Sequence, residues 1–203
     1  MPVYFDVGAN NGSSMIHFAN DPANIVYAFE PTPQMVEIIH SKTQHLQNYH
    51  IVQKAVANWE GKTTFHISGQ ADWGCSSLNH FSDHLNETWP GRTDFKVTDS
   101  IEVEVIRLDS FVKSNNITEI EYLHVDVQGS DLEVLFGLGD YISIIRAGVI
   151  EMPTSHEKKL YKDQKYIVDD AINFLHSKGF KVSRIDPNDC FNNEVNINFV
   201  REI

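Results

Sequence analysis

Residues 3–12 read VYFDVGANNG, and this stretch decides the fold. Apolar residues run from Val3 to Val7 around a single acid, Asp6, and a turn of small residues follows. The pattern is typical of a buried strand, a tight loop and the start of a helix, which together hold a nucleotide-like cofactor. Gly8 permits the turn, and the small residues after it let the backbone approach a ligand closely. We therefore predict a cofactor site built on the first element of the chain.

The amino-acid composition and the net charge limit the classes of function that the chain can have. The 203 residues are 41% hydrophobic, which fits one globular domain, residues 1–203, with a substantial core. A formal net charge of −12 argues against nucleic acid as a partner, because nucleic-acid binding relies on clustered Lys and Arg. A neutral small molecule or a glycan is the more natural substrate.

Neither a membrane span nor a secretion signal is visible. The chain has no run of about 18 apolar residues and no charged leader followed by an apolar stretch. Its two cysteines, Cys75 and Cys190, are too few for a disulfide framework. We expect no membrane insertion, free thiols and a cytoplasmic location.

Apolar runs alternate with helical patterns along the chain. The predicted strands cover residues 3–7, 25–29, 50–57, 63–67, 101–106, 122–127, 142–150, 180–185 and 195–201. The predicted helices cover residues 13–20, 33–46, 108–113, 131–138 and 165–178. This alternation predicts an α/β fold, with right-handed crossovers, a mainly parallel sheet and helices on both faces. The last two strands have no helix between them, which predicts an antiparallel hairpin at one edge. Residues 68–98 lack a period and are interpreted as an insertion or lid.

Three acids follow predicted strands. Asp6 lies near the end of the first strand, Glu30 follows the second, and Asp126 lies near the end of the strand over 122–127. Ligands of an open parallel sheet bind outside the carboxyl ends of its strands. Glu30 lies 18 residues after Gly12, where an acid accepts both hydroxyls of a ribose. We therefore predict that the three acids share one site.

Residues beside these acids would complete a nucleoside pocket. The ring of Pro31 is placed to pack on a nucleobase. The apolar residues Ala55, Val56 and Ala57 would line the other side of that base, although core packing explains them equally well.

The glycine spacing favours a cationic cofactor over a dinucleotide. A dinucleotide fingerprint is G-x-G-x-x-G, whereas this loop places Asn10 where a glycine often stands. An acid before the turn suits an ammonium or sulfonium group and suits a pyrophosphate poorly. A nicotinamide-dependent oxidoreductase is thus a disfavoured alternative. A non-catalytic scaffold module is a second alternative, which the intact acids and glycines argue against.

Four segments resemble the FkbM-type S-adenosylmethionine-dependent methyltransferases. They are FDVGANNG at 5–12, AFEP at 28–31, VDVQG at 125–129 followed by LEVL at 132–135, and VIE at 149–151. Their order and spacing agree with that family over residues 3–155. The resemblance implies a class I (Rossmann-like) methyltransferase fold with a seven-stranded sheet. It also implies S-adenosylmethionine as methyl donor and O-methylation, frequently of sugars.

The resemblance assigns cofactor-binding residues by position. Glu30 would bind the ribose, and Asp126 with Gln128 would border the reacting centre. The methionine end of the donor would be held by the first strand end and its loop, namely Asp6, Gly8, Ala9, Asn10, Asn11, Gly12 and Ser13. Asp131 stands where the family often has Glu, which leaves its role open.

A sugar hydroxyl is a weak nucleophile, so a general base should assist its in-line attack on the sulfonium methyl group. The candidate bases are Asp126, Glu151 and His156. These three could also converge as ligands of a divalent metal. No tight ligand spacing supports such a site, and we predict no metal.

The acceptor implied by the resemblance is a hydroxyl of a glycan, for example on a deoxyhexose such as rhamnose. Trp73 in the irregular segment could pack on a sugar ring, and the hydroxyls of Ser76 and Ser77 could bind ring oxygens. The alternative is that Trp73 anchors the irregular segment in the core.

The chain begins on its first strand, whereas family members usually have sequence before it. We therefore expect a domain excised from a longer polypeptide that also carries glycosyltransferase modules. Such a chain would resemble the methyltransferase domain of the chlorella-virus glycan-building enzymes, and a viral chain of this kind would be located in the host cytoplasm.

Overall fold

The structure is a computed structural model that describes residues 1–68, 73–93 and 95–202, with the side chain of Trp73 outside the description. The strands are β1 (Val3–Val7), β2 (Ile25–Phe29), β3 (Tyr49–Val52), β4 (Ala55–Val56), β5 (Gly61–Ser68), β6 (Val97–Ile106), β7 (Ile120–Val125), β8 (Ile145–Pro153), β9 (Phe180–Pro187) and β10 (Glu194–Arg201). The α-helices are α1 (Pro33–Thr43), α2 (Leu85–Thr88), α3 (Leu108–Ser114), α4 (Asp131–Phe136) and α5 (Val168–Ser177). Short 3₁₀ helices cover Ile16–Asn20, Trp73–Cys75, Gly139–Ile144 and His156–Lys158.

The main sheet has seven strands in the order β3-β2-β1-β7-β8-β10-β9. The first five are parallel, and β10 runs antiparallel to both β8 and β9. This arrangement confirms the predicted sheet and its antiparallel edge. After β1 the chain builds β2 and β3 on one side and later β7 on the other. Val7 is therefore paired with Phe29 and with Val125 at the point where the strand order reverses, which is where ligands of such sheets bind.

A second sheet, in the order β4-β6-β5, was not predicted. The apolar run predicted as one strand over 50–57 divides, because the chain turns where the amide of Lys54 donates to the carbonyl of Val52 at 2.8 Å. Residues before the turn form β3 in the main sheet, and Ala55 pairs with Val105 in the second. The chain therefore leaves the main sheet at the carboxyl end of β3 and enters the second sheet at β4.

Other boundaries differ where an apolar run does not distinguish helix from strand. The strand predicted over 142–150 begins as the 3₁₀ turn Gly139–Ile144, and β8 follows. The first predicted helix, 13–20, is the short 3₁₀ helix Ile16–Asn20, and the helices predicted over 33–46 and 165–178 are α1 and α5, both shorter.

Helices cover the sheet on both faces. The larger core lies between the sheet and α3, α4 and α5, and includes Phe5, Val7 and Leu123. The smaller core lies under α1 and the turn Ile16–Asn20, and includes Val26 and Ile39. In the part of the chain that the structure describes, no helix is both long and apolar enough to cross a bilayer.

Candidate active site

A cleft opens beyond the carboxyl ends of β1, β2 and β7 and holds about 530 Å³ of empty space. We call it the apolar cleft. It is lined by Gly8, Asn10, Phe29, Glu30, Pro31, Thr32, Met35, Lys54, Ala55, Val56, Phe65, Gly74, Ser76, Leu78, Asp126, Val127 and Gln128.

Gly8 forms the tight floor of this cleft. Its φ is +82°, and a Cβ there would lie 1.8 Å from the backbone oxygen of Asp126. The amides of Gly8 and Ala9 both donate to the carbonyl of Phe29 at 3.0 Å. Asn10 has φ +49°, a conformation that Asn tolerates better than most residues. The loop is therefore drawn against the ends of both neighbouring strands.

Glu30 faces the apolar cleft, and its carboxylate already accepts hydrogen bonds from the protein. Oε1 accepts hydrogen bonds from the amide and the hydroxyl of Thr32 at 2.8 and 2.6 Å, and Oε2 accepts one from the amide of Asn10 at 2.9 Å. Burial raises the pKa of Glu30, while the bonds from Thr32 and Asn10 oppose that rise. Since each carboxylate oxygen accepts about two bonds, Oε2 is the atom with capacity for a ligand hydroxyl.

A second cleft of about 610 Å³ adjoins the first, and we call it the acidic cleft. It is lined by Gly74, Cys75, Trp89, Arg92, Phe95, Asp126, Gln128, Glu151, Leu160, Asn188, Asp189 and Glu194. The two clefts share Gly74, Asp126 and Gln128. A ligand in one cleft would therefore meet a ligand in the other at the end of β7.

The side chain of Gln128 joins the acids at this junction. Its Nε2 donates to Asp126 Oδ1 at 2.5 Å and to Glu151 Oε2 at 3.0 Å. Its backbone has φ +59° and is held by the hydroxyl of Ser77, which donates to the Gln128 carbonyl at 2.5 Å. Such a strained backbone outside glycine is typical of functional sites.

Asp131 stabilises the same turn by accepting hydrogen bonds from its backbone. Its two carboxylate oxygens accept the amides of Val127 and Gly129, each at 3.2 Å. Burial, and next the charge of Asp126, raise the pKa of Asp131 well above its usual range. Asp131 thus shapes the turn between β7 and α4.

Burial is the largest cause of the pKa shifts in the acidic cleft. It raises the pKa of Glu151 well above its usual range, and the charges of Asp126 and Glu194 raise it further. The pKa of Glu194 is raised to about 8 by burial, then by Asp126 and Asp189. Asn188 Nδ2 donates to Glu151 Oε1, which leaves Glu151 bonded at both oxygens. Burial and the neighbouring acids therefore favour the protonated form of both Glu151 and Glu194.

Replacing Glu194 with glutamine should flatten the dependence of stability on pH. A folded-state pKa of about 8 means that the folded chain holds a proton that the unfolded chain loses above pH 4.5. The wild-type free energy of unfolding therefore falls as pH rises from about 4.5 to 8. We expect the Tm of Glu194→Gln to exceed that of wild type by about 5 °C at pH 8.5, with a smaller difference at pH 5. Exposed Glu87→Gln is the control, and parallel Tm curves for Glu194→Gln and wild type would contradict this assignment.

The structure brings most of the predicted site residues to the clefts. Asp126 and Gln128 line both of them, and Glu151 lines the acidic cleft. The apolar cleft also takes the predicted Gly8, Asn10, Glu30, Pro31, Ala55, Val56 and Ser76.

Asp6 lies elsewhere, contrary to the prediction. Phe5 and Val7 face the larger core, so the alternating strand turns Asp6 to the opposite face. There it is fully buried, and its Oδ1 is 2.9 Å from Nδ1 of His124. Asp6 therefore lies on the face of the smaller core, beside His124 of β7, and does not line the apolar cleft.

Several other predicted residues line neither cleft. Ala9 and Ala57 are buried in hydrophobic clusters, and Gly12 packs against Ile39 and Tyr49. Asn11 and Ser13 bond to each other on the outer side of the loop, where the Asn11 side chain accepts the Ser13 amide.

Two further residues that were predicted to bind substrate or to act as a base, Ser77 and His156, do not line either cleft. Ser77 is buried, and its hydroxyl holds the Gln128 turn instead of facing a substrate. His156 is exposed on the turn after β8 and does not join Asp126 and Glu151. The side chain of Trp73 lies outside the described residues. Among the residues described, no group of three or more His, Cys, Asp or Glu is arranged to hold a metal ion.

Sequence reasoning missed Glu194, Asn188 and Tyr161. Glu194 begins β10, which runs antiparallel to β8, so it pairs with Pro153 at the edge where β8 ends. An acid at the start of a returning strand is the signal that could have found it. Tyr161 lies in a loop without periodicity, and no sequence signal marks it.

The protein has the class I methyltransferase fold, and several solved structures share it. Streptococcus mutans SMU.1697c, in complex with SAH, matches with a TM-score of 0.54 at 10% identity, over 100% of this chain and 89% of that one. Aeropyrum pernix fibrillarin with bound S-adenosyl-L-methionine matches with a TM-score of 0.53 at 10% identity, over 98% and 66% of the two chains. M. capricolum TrmK in complex with S-adenosyl-homocysteine matches with a TM-score of 0.52 at 13% identity, over 98% and 62%.

The chain belongs to the FkbM methyltransferase family, whose methyltransferase domain matches residues 6–182. A curated relative, the 2-O-methyltransferase NoeI of Sinorhizobium fredii, is 30% identical over 142 residues. This match covers 67% of the chain and 57% of the relative, so it spans little more than half of that protein's length. Family membership confirms S-adenosylmethionine as the cofactor and decides against the nicotinamide-dependent oxidoreductase.

Proposed function

We propose that the protein is an S-adenosylmethionine-dependent O-methyltransferase that methylates a sugar hydroxyl of a glycan. The observation that carries this proposal is the position of Asp126, which lines both clefts. Among the described acids no other does so. A carboxylate at the junction lies where an acceptor hydroxyl would meet the methyl group of the donor.

The apolar cleft fits the donor, which supplies an electrophilic methyl group on its sulfonium. The side-chain-free backbone of Gly8 admits a ligand against the end of β1, and Oε2 of Glu30 would accept a ribose hydroxyl. Pro31, Ala55 and Val56 offer an apolar wall to the adenine. Asn10 would border the methionine end.

The acidic cleft suits an acceptor rich in hydroxyl groups. Carboxylates accept hydrogen bonds from hydroxyls, and amides can both donate and accept them. Glu151, Glu194 and Asn188 provide these groups beside the rings of Trp89 and Phe95. The name of the relative, a 2-O-methyltransferase, supports oxygen as the methylated atom. A deoxyhexose such as rhamnose is our candidate sugar.

Asp126 is our candidate general base. Asp126 would accept the proton of the acceptor hydroxyl as the acceptor oxygen attacks. The bound donor would supply the methyl group, and its sulfur would leave as a neutral thioether. The protein contributes mainly alignment of the oxygen with the methyl group. Glu151, which shares the amide of Gln128 with Asp126, would orient the acceptor hydroxyl.

Two measurements test the proposal. Titration with S-adenosylhomocysteine by calorimetry should show stoichiometric binding, and absence of binding would reject it. Radiolabelled methyl transfer should then be followed with rhamnose-containing glycans, with amine and phenol acceptors for comparison. We expect an alkali-stable methyl ether on the sugar. Donor binding without transfer to any glycan would favour the scaffold module instead.

A further inference from the structure

Tyr161 touches the junction of the clefts although its side chain lines neither of them. Its ring is 1% exposed and stacks on Phe81 with centroids 5.3 Å apart. A Cβ at Gly129 would lie 2.7 Å from Tyr161 Cδ2, so the ring occupies the space that glycine leaves. This packing holds the hydroxyl in one place.

That hydroxyl has two acceptors within reach and one proton to donate. It lies 2.8 Å from Oε1 of Gln128 and 2.9 Å from the backbone oxygen of Cys75. When the hydroxyl donates to Oε1, the amide presents its NH₂ group to Asp126 and Glu151. The reversed amide would place Oε1 against the carboxylates, which is unfavourable unless one of them carries a proton.

We propose that Tyr161 is a positioning residue whose hydroxyl fixes the Gln128 amide with its NH₂ group toward Asp126 and Glu151. In this orientation the amide stabilises the ionised form of both carboxylates, the form that can accept a proton. The hydrogen bond from Gln128 lowers the pKa of Glu151, against the rise caused by burial and by the charges of Asp126, Glu194 and Asp131. The effect on catalysis rests on the proposed function, whereas the effect on protonation does not.

The test is the titration of Glu151 in the variant Tyr161→Phe, which keeps the ring and removes the hydroxyl. Carboxyl groups of ¹³C-labelled glutamate are followed by NMR against pH, with Glu151→Gln to assign the signal. We expect the Glu151 midpoint to rise by about one pH unit, the size of one hydrogen bond to the ionised form. Methyl transfer at pH 7 should fall about tenfold, while affinity for S-adenosylhomocysteine stays within about twofold.

Two control variants separate the orientation of the Gln128 amide from the packing of the Tyr161 ring. Phe81→Leu removes the stacked ring but keeps the hydroxyl, and it should leave the Glu151 midpoint in place. Gln128→Asn keeps a residue that tolerates positive φ but shortens the amide, and in that background Tyr161→Phe should add no further shift.

An unchanged midpoint in Tyr161→Phe, or an equal shift in Phe81→Leu, would overturn the role of Tyr161. Absence of methyl transfer by the wild-type protein would count against the proposed function instead, and the titration would still decide this role.

Discussion

Replacing Asp126 with asparagine should lower kcat/KM for methyl transfer by about 10²–10⁴-fold, the contribution of a positioned general base. Asparagine keeps an oxygen that accepts the hydrogen bond from Gln128 Nε2, which lies 2.5 Å from Asp126 Oδ1 in the wild type. The asparagine side chain, however, cannot take up the proton of the acceptor hydroxyl. The geometry of the junction is therefore preserved while the base is lost. Calorimetry with S-adenosylhomocysteine should show affinity within about threefold of wild type, a change of less than about 1 kcal/mol.

Glu151→Gln is the matched comparison, because Glu151 lines only the acidic cleft, whereas Asp126 lines both clefts. We expect it to lower kcat/KM by about tenfold, the effect of one weakened hydrogen bond to the acceptor. The acidic limb of the pH–rate profile should persist in Glu151→Gln and disappear in Asp126→Asn. Transfer at near wild-type rate by Asp126→Asn, with a larger loss in Glu151→Gln, would move the base to Glu151.

The part of the site that the sequence predicts well lies at the ends of parallel strands. Gly8, Glu30 and Asp126 follow β1, β2 and β7, and a parallel sheet brings such positions to one edge. Their spacing along the chain therefore predicts their proximity in space. The residues of the acidic cleft depend on long-range pairing, which local pattern does not encode. Glu194 reaches the site only because β10 returns antiparallel to β8.

The orientation of Asp6 shows a second limit of sequence reasoning. Both faces of β1 are buried, one by the larger core and the other by the smaller, so no polar face marks which way Asp6 points. The second sheet was missed for a related reason, since β4 pairs with β6 about 50 residues further along the chain.

Replacing Gly8 with alanine should abolish donor binding. The Cβ would lie 1.8 Å from the oxygen and 2.7 Å from the carbon of the Asp126 backbone, which cannot move aside as a side chain can. The ends of β1 and β7 would have to separate, which displaces Asp126 and the loop that borders the donor. A misplacement of about 1 Å in a site costs about 10²-fold, so we expect at least that loss of affinity for S-adenosylhomocysteine by calorimetry.

Gly91→Ala is a matched control, because Gly91 has the same φ of +82° but nothing within 4 Å of its Cβ position. It carries the cost of a left-handed backbone, about 1–2 kcal/mol, without a clash. Its donor affinity should equal that of wild type, while the Tm of Gly8→Ala should fall below that of Gly91→Ala. Circular dichroism shows whether Gly8→Ala keeps its fold. Donor affinity near wild type in a folded Gly8→Ala would mean that the loop does not need its close contact with β7, and the donor would then have to bind away from the end of β1.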